Sequence, residues 1–205
     1  MTRPTVIHTN TPLTLAVVRL FERALPILAG KTPGTLKAYI FGGCALHILT
    51  NARGSADIDA ELEIAHGVDR KEVIALFEGV PEDYVMDDRD LQVQYDTRFN
   101  TSLCPVHEDF TDRAIPLIPN QENAVLQVFV AAPIDLIITK LGRFTDRDHD
   151  DIRTLIRARN IDLERLDMLA RQAIDYCPCD KSTTLSYLRL VLDESGFPGK
   201  AQSSP

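Results

Sequence analysis

The chain has 205 residues, a formal charge of −8 and an ordinary balance of apolar (44%) and charged (25%) residues, which suits one domain, or a domain with a small helical appendage, around a sizeable core. No apolar run approaches the roughly 20 residues needed to cross a bilayer, so no membrane partner is expected, and the acidic balance argues against a general nucleic-acid-binding surface, which needs clustered Lys and Arg. Met1 to Asn10 lacks the basic and then apolar layout of a secretory signal; with Cys44, Cys104, Cys177 and Cys179 free of metal-ligand spacing, a cytoplasmic protein with reduced thiols is expected.

Thr11-Pro12, followed by Leu13, Ala16, Val17, Leu20 and Phe21, predicts an amphipathic helix with Thr11 as N-cap and Pro12 at the first helical position, ended by Pro26 and the Gly30 to Gly34 stretch. Lys37 to Phe41 reads as a short strand. Gly42 and Gly43 read as a turn that lets the backbone pass close to a ligand, and Cys44 to Asn51 as a helix opening on that turn. A helix entered through glycines presents free N–H groups, which favour phosphate. Asp57 begins a second strand running on through Ala60, Leu62 and Ile64; alternate side chains share a face, so Asp57 and Asp59 point one way and Ile58 the other. Two carboxylates on one face repel unless a cation lies between them, and Mg²⁺ is the usual cation where phosphate is also expected. Arg53 and Ser55, just upstream, either contact phosphate or lie in a solvated loop.

Asp69 predicts a cap for a helix through Val73, Ile74 and Phe77 that stops at Gly79. Leu91, Val93 and Tyr95 alternate with polar residues, as in a half-buried strand. From about 97 to 120, three X-Pro pairs suggest an extended insertion or hairpin. Ala124 to Ala131 reads as a buried strand. Helices then follow: one from Pro133 through Leu141, one opened by Asp146 or Asp148, one capped by Asp162, and one from Thr184 to Ser195. Strands and helices alternate at first and helices follow, so an α+β fold with an α/β start is expected. It would divide into a sheet part over 1–131, a C-terminal helical part over 132–197 and a disordered tail over 198–205.

The order apolar residue, Gly-Gly, helix, loop, Asp-x-Asp, carried here by Phe41-Gly42-Gly43 and Asp57-Ile58-Asp59, resembles the polymerase-beta-like nucleotidyltransferase superfamily. A second block, Val128 to Leu155, resembles the segment "strand, Pro-x-Asp-Leu, Lys-Leu, Arg-Asp-x-x-Asp" of nucleotidyltransferase-like proteins of the DUF6036 and AbiEii kind, with Lys140-Leu141 and Arg147-Asp148 with Asp151 matching residue for residue. The two blocks cover about half the chain. The resemblance implies a nucleotidyltransferase-like mixed sheet flanked by helices and a Mg²⁺-dependent transfer from a nucleoside triphosphate, with room for two ions. Asp57 and Asp59 would hold metal, and Gly42 and Gly43 would approach the phosphates. The acceptor it implies is tRNA or a protein side chain. AbiEii-type proteins are the toxin half of toxin–antitoxin pairs, which adds a cognate antitoxin as partner.

Two positions keep alternatives open. Lys140, on an otherwise apolar helix face, either steadies the triphosphate or pairs with Asp135, Asp148 or Asp151. Full enzymes of the class place a third acid on a neighbouring strand; the strand from Ala124 carries none, and Asp96 is the candidate, with Asp87 second. Without a third acid, a degenerate fold that binds nucleotide as a regulatory module is the competing expectation.

Overall fold

A computed structural model describes residues 6–197; the tail expected over 198–205 lies outside the described residues. Two compact units emerge. One comprises the chain up to Asn100 with Thr111–Ala132, the other Thr101–Phe110 with the chain from Pro133 onward.

In the first unit, helix α1 (Pro12–Glu22) begins where the sequence places it: Thr11 accepts the amide of Thr14, and Pro12 fills the first helical position, where no donor is needed. A four-residue helix, α2 (Leu25–Leu28), carries Pro26 in its first turn. Then come β1 (Leu36–Ile40), α3 (Gly42–Thr50), β2 (Asp57–Ile58), β3 (Ala60–Ile64) and α4 (Arg70–Glu78), the last capped by Asp69. A hairpin, β4 (Glu82–Met86) and β5 (Arg89–Tyr95), follows. After it come a short helix, α5 (Phe110–Arg113), an edge strand, β6 (Ile115–Pro116), and β7 (Leu126–Val130). The fold is α+β, with two mixed sheets among the described residues.

The first sheet has the order β3-β1-β7-β6, with β1 parallel to β7 and antiparallel to β3. The second has the order β2-β5-β4, with β2 parallel to β5. Ala38, Ile40, Val128 and Val130 are fully buried, as are Phe21 and Phe77, which meet edge to face at 5.3 Å. Each such valine, isoleucine or phenylalanine side chain contributes roughly 1.5–3 kcal/mol by leaving water.

Two expectations change here. The single strand expected from Asp57 to Ile64 is divided at Asp59. Strand carbonyls alternate in direction, so Ile58 O accepts from Asp96 N at 3.0 Å in one sheet while Asp59 O accepts from Phe41 N at 2.8 Å in the other. The strand β4 went unread because Glu82-Asp83-Tyr84-Val85-Met86 buries only Tyr84 fully. Asp87 and Asp88 close its hairpin with φ of +53° and +56°, the left-handed pair a type I′ turn requires. The segment near 97–120 divides between the units, and its Pro116 is tolerated because β6 lies at the sheet edge, where no donor is required.

The second unit holds α6 (Pro133–Leu141), α7 (Asp146–Arg159), α8 (Leu163–Tyr176) and α9 (Lys181–Glu194). Thr145, one residue before the expected opener, caps α7, and Asp148 completes a capping box as its third helical residue. The last helix starts three residues earlier than expected, because Asp180 accepts the amide of Thr183. Lys140 is buried here. Its Nζ donates to Asp151 at 2.6 Å and to Asp148 at 3.3 Å, while Arg143 holds Asp148 at 2.9 and 3.0 Å. Burial pushes the Asp148 carboxyl up, but the hydrogen bonds from Arg143 and Thr145 and the charge of Lys140 outweigh it. The group titrates well below the usual carboxylate range.

Candidate active site

The site is built where β1 runs out. Phe41 is extended, and Gly42 turns the chain with φ of +59°, a conformation that costs glycine little and other residues more. Helix α3 therefore starts at Gly42 itself, two residues earlier than the sequence suggested, and both glycines lie in its first turn. Phe41 offers no side-chain acceptor to the first-turn amides. A helix terminus left in that state favours an anion.

Directly against this turn lies the Asp-x-Asp segment. A Cβ on Gly42 would overlap the Asp59 carboxylate. On Gly43 it would fall 2.5 Å from Ser55 Oγ and 3.1 Å from an Arg53 guanidinium nitrogen. Both glycines are thus bare because side chains from the next strand and its loop occupy the space. Ile58 is fully buried while Asp57 and Asp59 on either side are half-buried, which is the alternation of a strand with one wet face.

The loop leading into Asp57 is tied at several points. His47, 1% exposed, bridges Arg53 O through Nδ1 at 2.9 Å and Thr11 Oγ1 through Nε2 at 2.8 Å. Because a carbonyl only accepts, Nδ1 carries the proton, and burial holds the imidazole below its ordinary pKa, keeping it neutral. Tyr84 donates to Ser55 O at 3.0 Å. Ser55 Oγ and Cys44 Sγ both donate to Asp57 O, at 3.0 and 3.2 Å. Burial pushes the Cys44 thiol far up, so it stays protonated and can donate.

On the other side of Asp57, Gln94 Nε2 donates to Asp57 Oδ1 at 3.2 Å across the β2–β5 pair. Asp96 follows in register, its amide on Ile58 O. Its Oδ1 accepts from Arg98 Nε at 3.2 Å and from the Arg98 amide at 2.9 Å. Asp87 lies at the hairpin turn with its side chain 73% exposed. Among the described residues, no group of three or more His, Cys, Asp and Glu is arranged to hold a metal.

Gly42, Gly43, Arg53, Ser55, Asp57, Asp59 and the Asp96 backbone therefore come together in the first unit, while Lys140 belongs to the helical unit and is engaged there by two aspartates. His47, Tyr84, Cys44 and Gln94 were not singled out from sequence. The histidine had no paired spacing and Tyr84 sits on the strand that went unread; Gln94 alone had a signal, as a polar member of an alternating strand.

The donor set fits a divalent cation. Mg²⁺ usually takes one or two carboxylates and fills the rest of its shell with water and substrate phosphate, so a pair of aspartates beside an anion-favouring helix start is enough. Among the described residues no helix is long and apolar enough to cross a membrane. The family described as "Nucleotidyltransferase of unknown function (DUF6036)" matches residues 17–191, a span that includes every residue of this site. No curated protein matches the chain.

Proposed function

The chain belongs to the DUF6036 nucleotidyltransferase family, and from that premise we propose that the Gly42 to Asp59 site binds a nucleoside triphosphate with a divalent cation, Mg²⁺, and transfers its nucleotidyl group. The observation that carries this reading is the seating of the Asp59 carboxylate on Gly42. It brings a metal-binding acid to the amides of a helix start, so that metal and phosphate can share one place. In the transfer, an acceptor oxygen bonds to the α-phosphorus and gives up its proton while the bond to pyrophosphate breaks in line. Asp57 and Asp59 would hold the cation, which supplies charge neutralisation for the triphosphate. The α3 amides and the Ser55 hydroxyl orient the phosphates, and Arg53 adds a planar cation beside them. We assign Lys140 to the helical unit's internal ion cluster rather than to the phosphates.

Calorimetric titration with ATP, CTP, GTP and UTP, with and without Mg²⁺, tests the reading. Metal-dependent binding to the wild type that vanishes in Asp59→Asn is the expected result; equal binding by the variant would sink the metal assignment. Radiolabelled transfer onto an RNA 3′ end and onto protein then separates the two acceptor classes. Growth arrest on expression, relieved by a neighbouring gene product, is the result expected if the protein is the toxin of a pair.

One observation favours a second reading, a nucleotide-binding module without turnover: the Asp96 carboxylate is held by Arg98, and among the described residues no third acid forms a metal-holding group with Asp57 and Asp59. Tight metal-dependent binding with no labelled product on any acceptor would select it.

A further inference from the structure

The link between α8 and α9 is four residues long, Cys177-Pro178-Cys179-Asp180, and both of its ends are fixed. The Cys177 amide donates to Ala173 O at the end of α8, and Asp180, which follows Cys179, caps α9 through Thr183. Cys177 is extended, with φ of −69° and ψ of 139°, and the proline ring restricts the residue between the two cysteines. Within this short span the Cys179 amide donates to Cys177 Sγ at 3.2 Å. The first sulfur is therefore already folded forward over the second cysteine. Both thiols are free.

The two differ in access. Cys177 is 7% exposed, and burial together with its contact to Cys179 pushes its thiol up to about 11. Cys179 is half-exposed. An oxidant from solution meets Cys179 first, and the Cys177 sulfur, one residue of chain away, is placed to complete the reaction.

We propose that Cys177 and Cys179 form an oxidative modification site in which a hydroperoxide attacks at Cys179 and Cys177 closes an intrachain disulfide. In the first step the Cys179 sulfur bonds to the distal peroxide oxygen and the O–O bond breaks. The sulfur is oxidised to a sulfenic acid, and the other oxygen leaves with a proton as alcohol or water. In the second the Cys177 sulfur bonds to Cys179, the S–O bond breaks, and the hydroxide takes the Cys177 proton and leaves as water. Two thiols and one hydroperoxide become one disulfide, one alcohol and one water. The ring closed spans a single residue and is strained, which makes it readily reduced, so the modification is reversible by cellular thiols. The inference owes nothing to the reading of the Asp57 and Asp59 site.

Trypsin cutting after Arg171 and Lys181 leaves both cysteines on one peptide, Gln172 to Lys181. The full chain is treated with hydrogen peroxide, unfolded, alkylated and digested. The expected product is this peptide unalkylated and lighter by two hydrogens, restored to double alkylation by dithiothreitol. Cys177→Ser should instead accumulate a dimedone adduct at Cys179, faster than any adduct at Cys104, the other half-exposed thiol and an internal control. Cys179→Ser should leave Cys177 alkylatable after peroxide. Recovery of the wild-type peptide doubly alkylated, or a disulfide joining two chains in place of the internal one, would overturn the proposal. Circular dichroism of each serine variant confirms that the helices being compared are intact.

Discussion

The Asp59 carboxylate rests on the bare Cα of Gly42, so that two residues seventeen positions apart in sequence form one surface, an acid from one strand against the turn that opens a helix. Neither could change without the other. The position needs glycine twice over, once for its positive φ and once for the room it leaves.

Gly42→Ala tests the two demands together. The backbone cost of a non-glycine residue at such a φ is about 1–3 kcal/mol. The methyl must also push Asp59 aside, so metal-dependent nucleotide binding should be lost as well. Gly30→Ala is the control: φ there is +75°, with nothing near its Cα that a methyl would meet. It should show the conformational cost alone in chemical unfolding, with binding unchanged.

The Lys140 cluster predicts a stability effect without a binding effect. Lys140→Met leaves Asp148 and Asp151 buried beside each other without their shared cation, at a cost of about 3–5 kcal/mol. Urea unfolding followed by helical circular dichroism should show it. Nucleotide affinity, measured where the variant is still folded, should match wild type; a tenfold loss would return Lys140 to the phosphates.

Acid should unfold the protein partly through Asp148. Its carboxyl is held down in the folded chain, so its stabilisation is fully present above the unfolded value of about 4 and is lost as pH falls through the lower folded value. Thermal unfolding followed downward from about pH 5 should show a steep loss below about pH 4. Asp148→Asn should be less stable at neutral pH and show a flatter acid limb.

His47 should behave with the same sign at a higher pH. Burial favours its neutral form, so protonation favours the unfolded chain, and stability declines as pH drops below the free histidine value of about 6.5. His47→Phe removes that dependence and both hydrogen bonds. It should cost about 1–3 kcal/mol because Arg53 O is left without its donor. Comparing the pH slopes of the two proteins between about 5 and 7 is the measurement.

Much of the fold could be read because local chemistry wrote it. Thr11-Pro12, Asp69 and Asp162 cap their helices where the sequence put them, and β1, β5 and β7 carried clear apolar patterns. The site's glycines and aspartates were legible because residue type and order mark them. What escaped reading depends on contacts between distant residues. Nothing near His47 in sequence says that Thr11 will reach its ring, and nothing in Glu82 to Met86 says that Tyr84 will hold the Ser55 carbonyl. Lys140 lies between the two cases: its oddity on an apolar face and a pairing with Asp135, Asp148 or Asp151 could both be read, but that Asp148 and Asp151 hold it together is decided by helix packing.

The excursion of Thr101–Phe110 into the helical unit sets an order of events on the ribosome. When Asn100 emerges, β1 and β3 can already pair, but β7, the parallel neighbour of β1, is still unmade. The next ten residues belong to helices that do not yet exist, so a nascent chain carries an unfinished sheet and an unclaimed segment at once. Cutting the gene before Pro133 would separate Thr101–Phe110 from the unit to which they belong. The N-terminal product would keep ten residues whose partners are missing, and the C-terminal product would lack them.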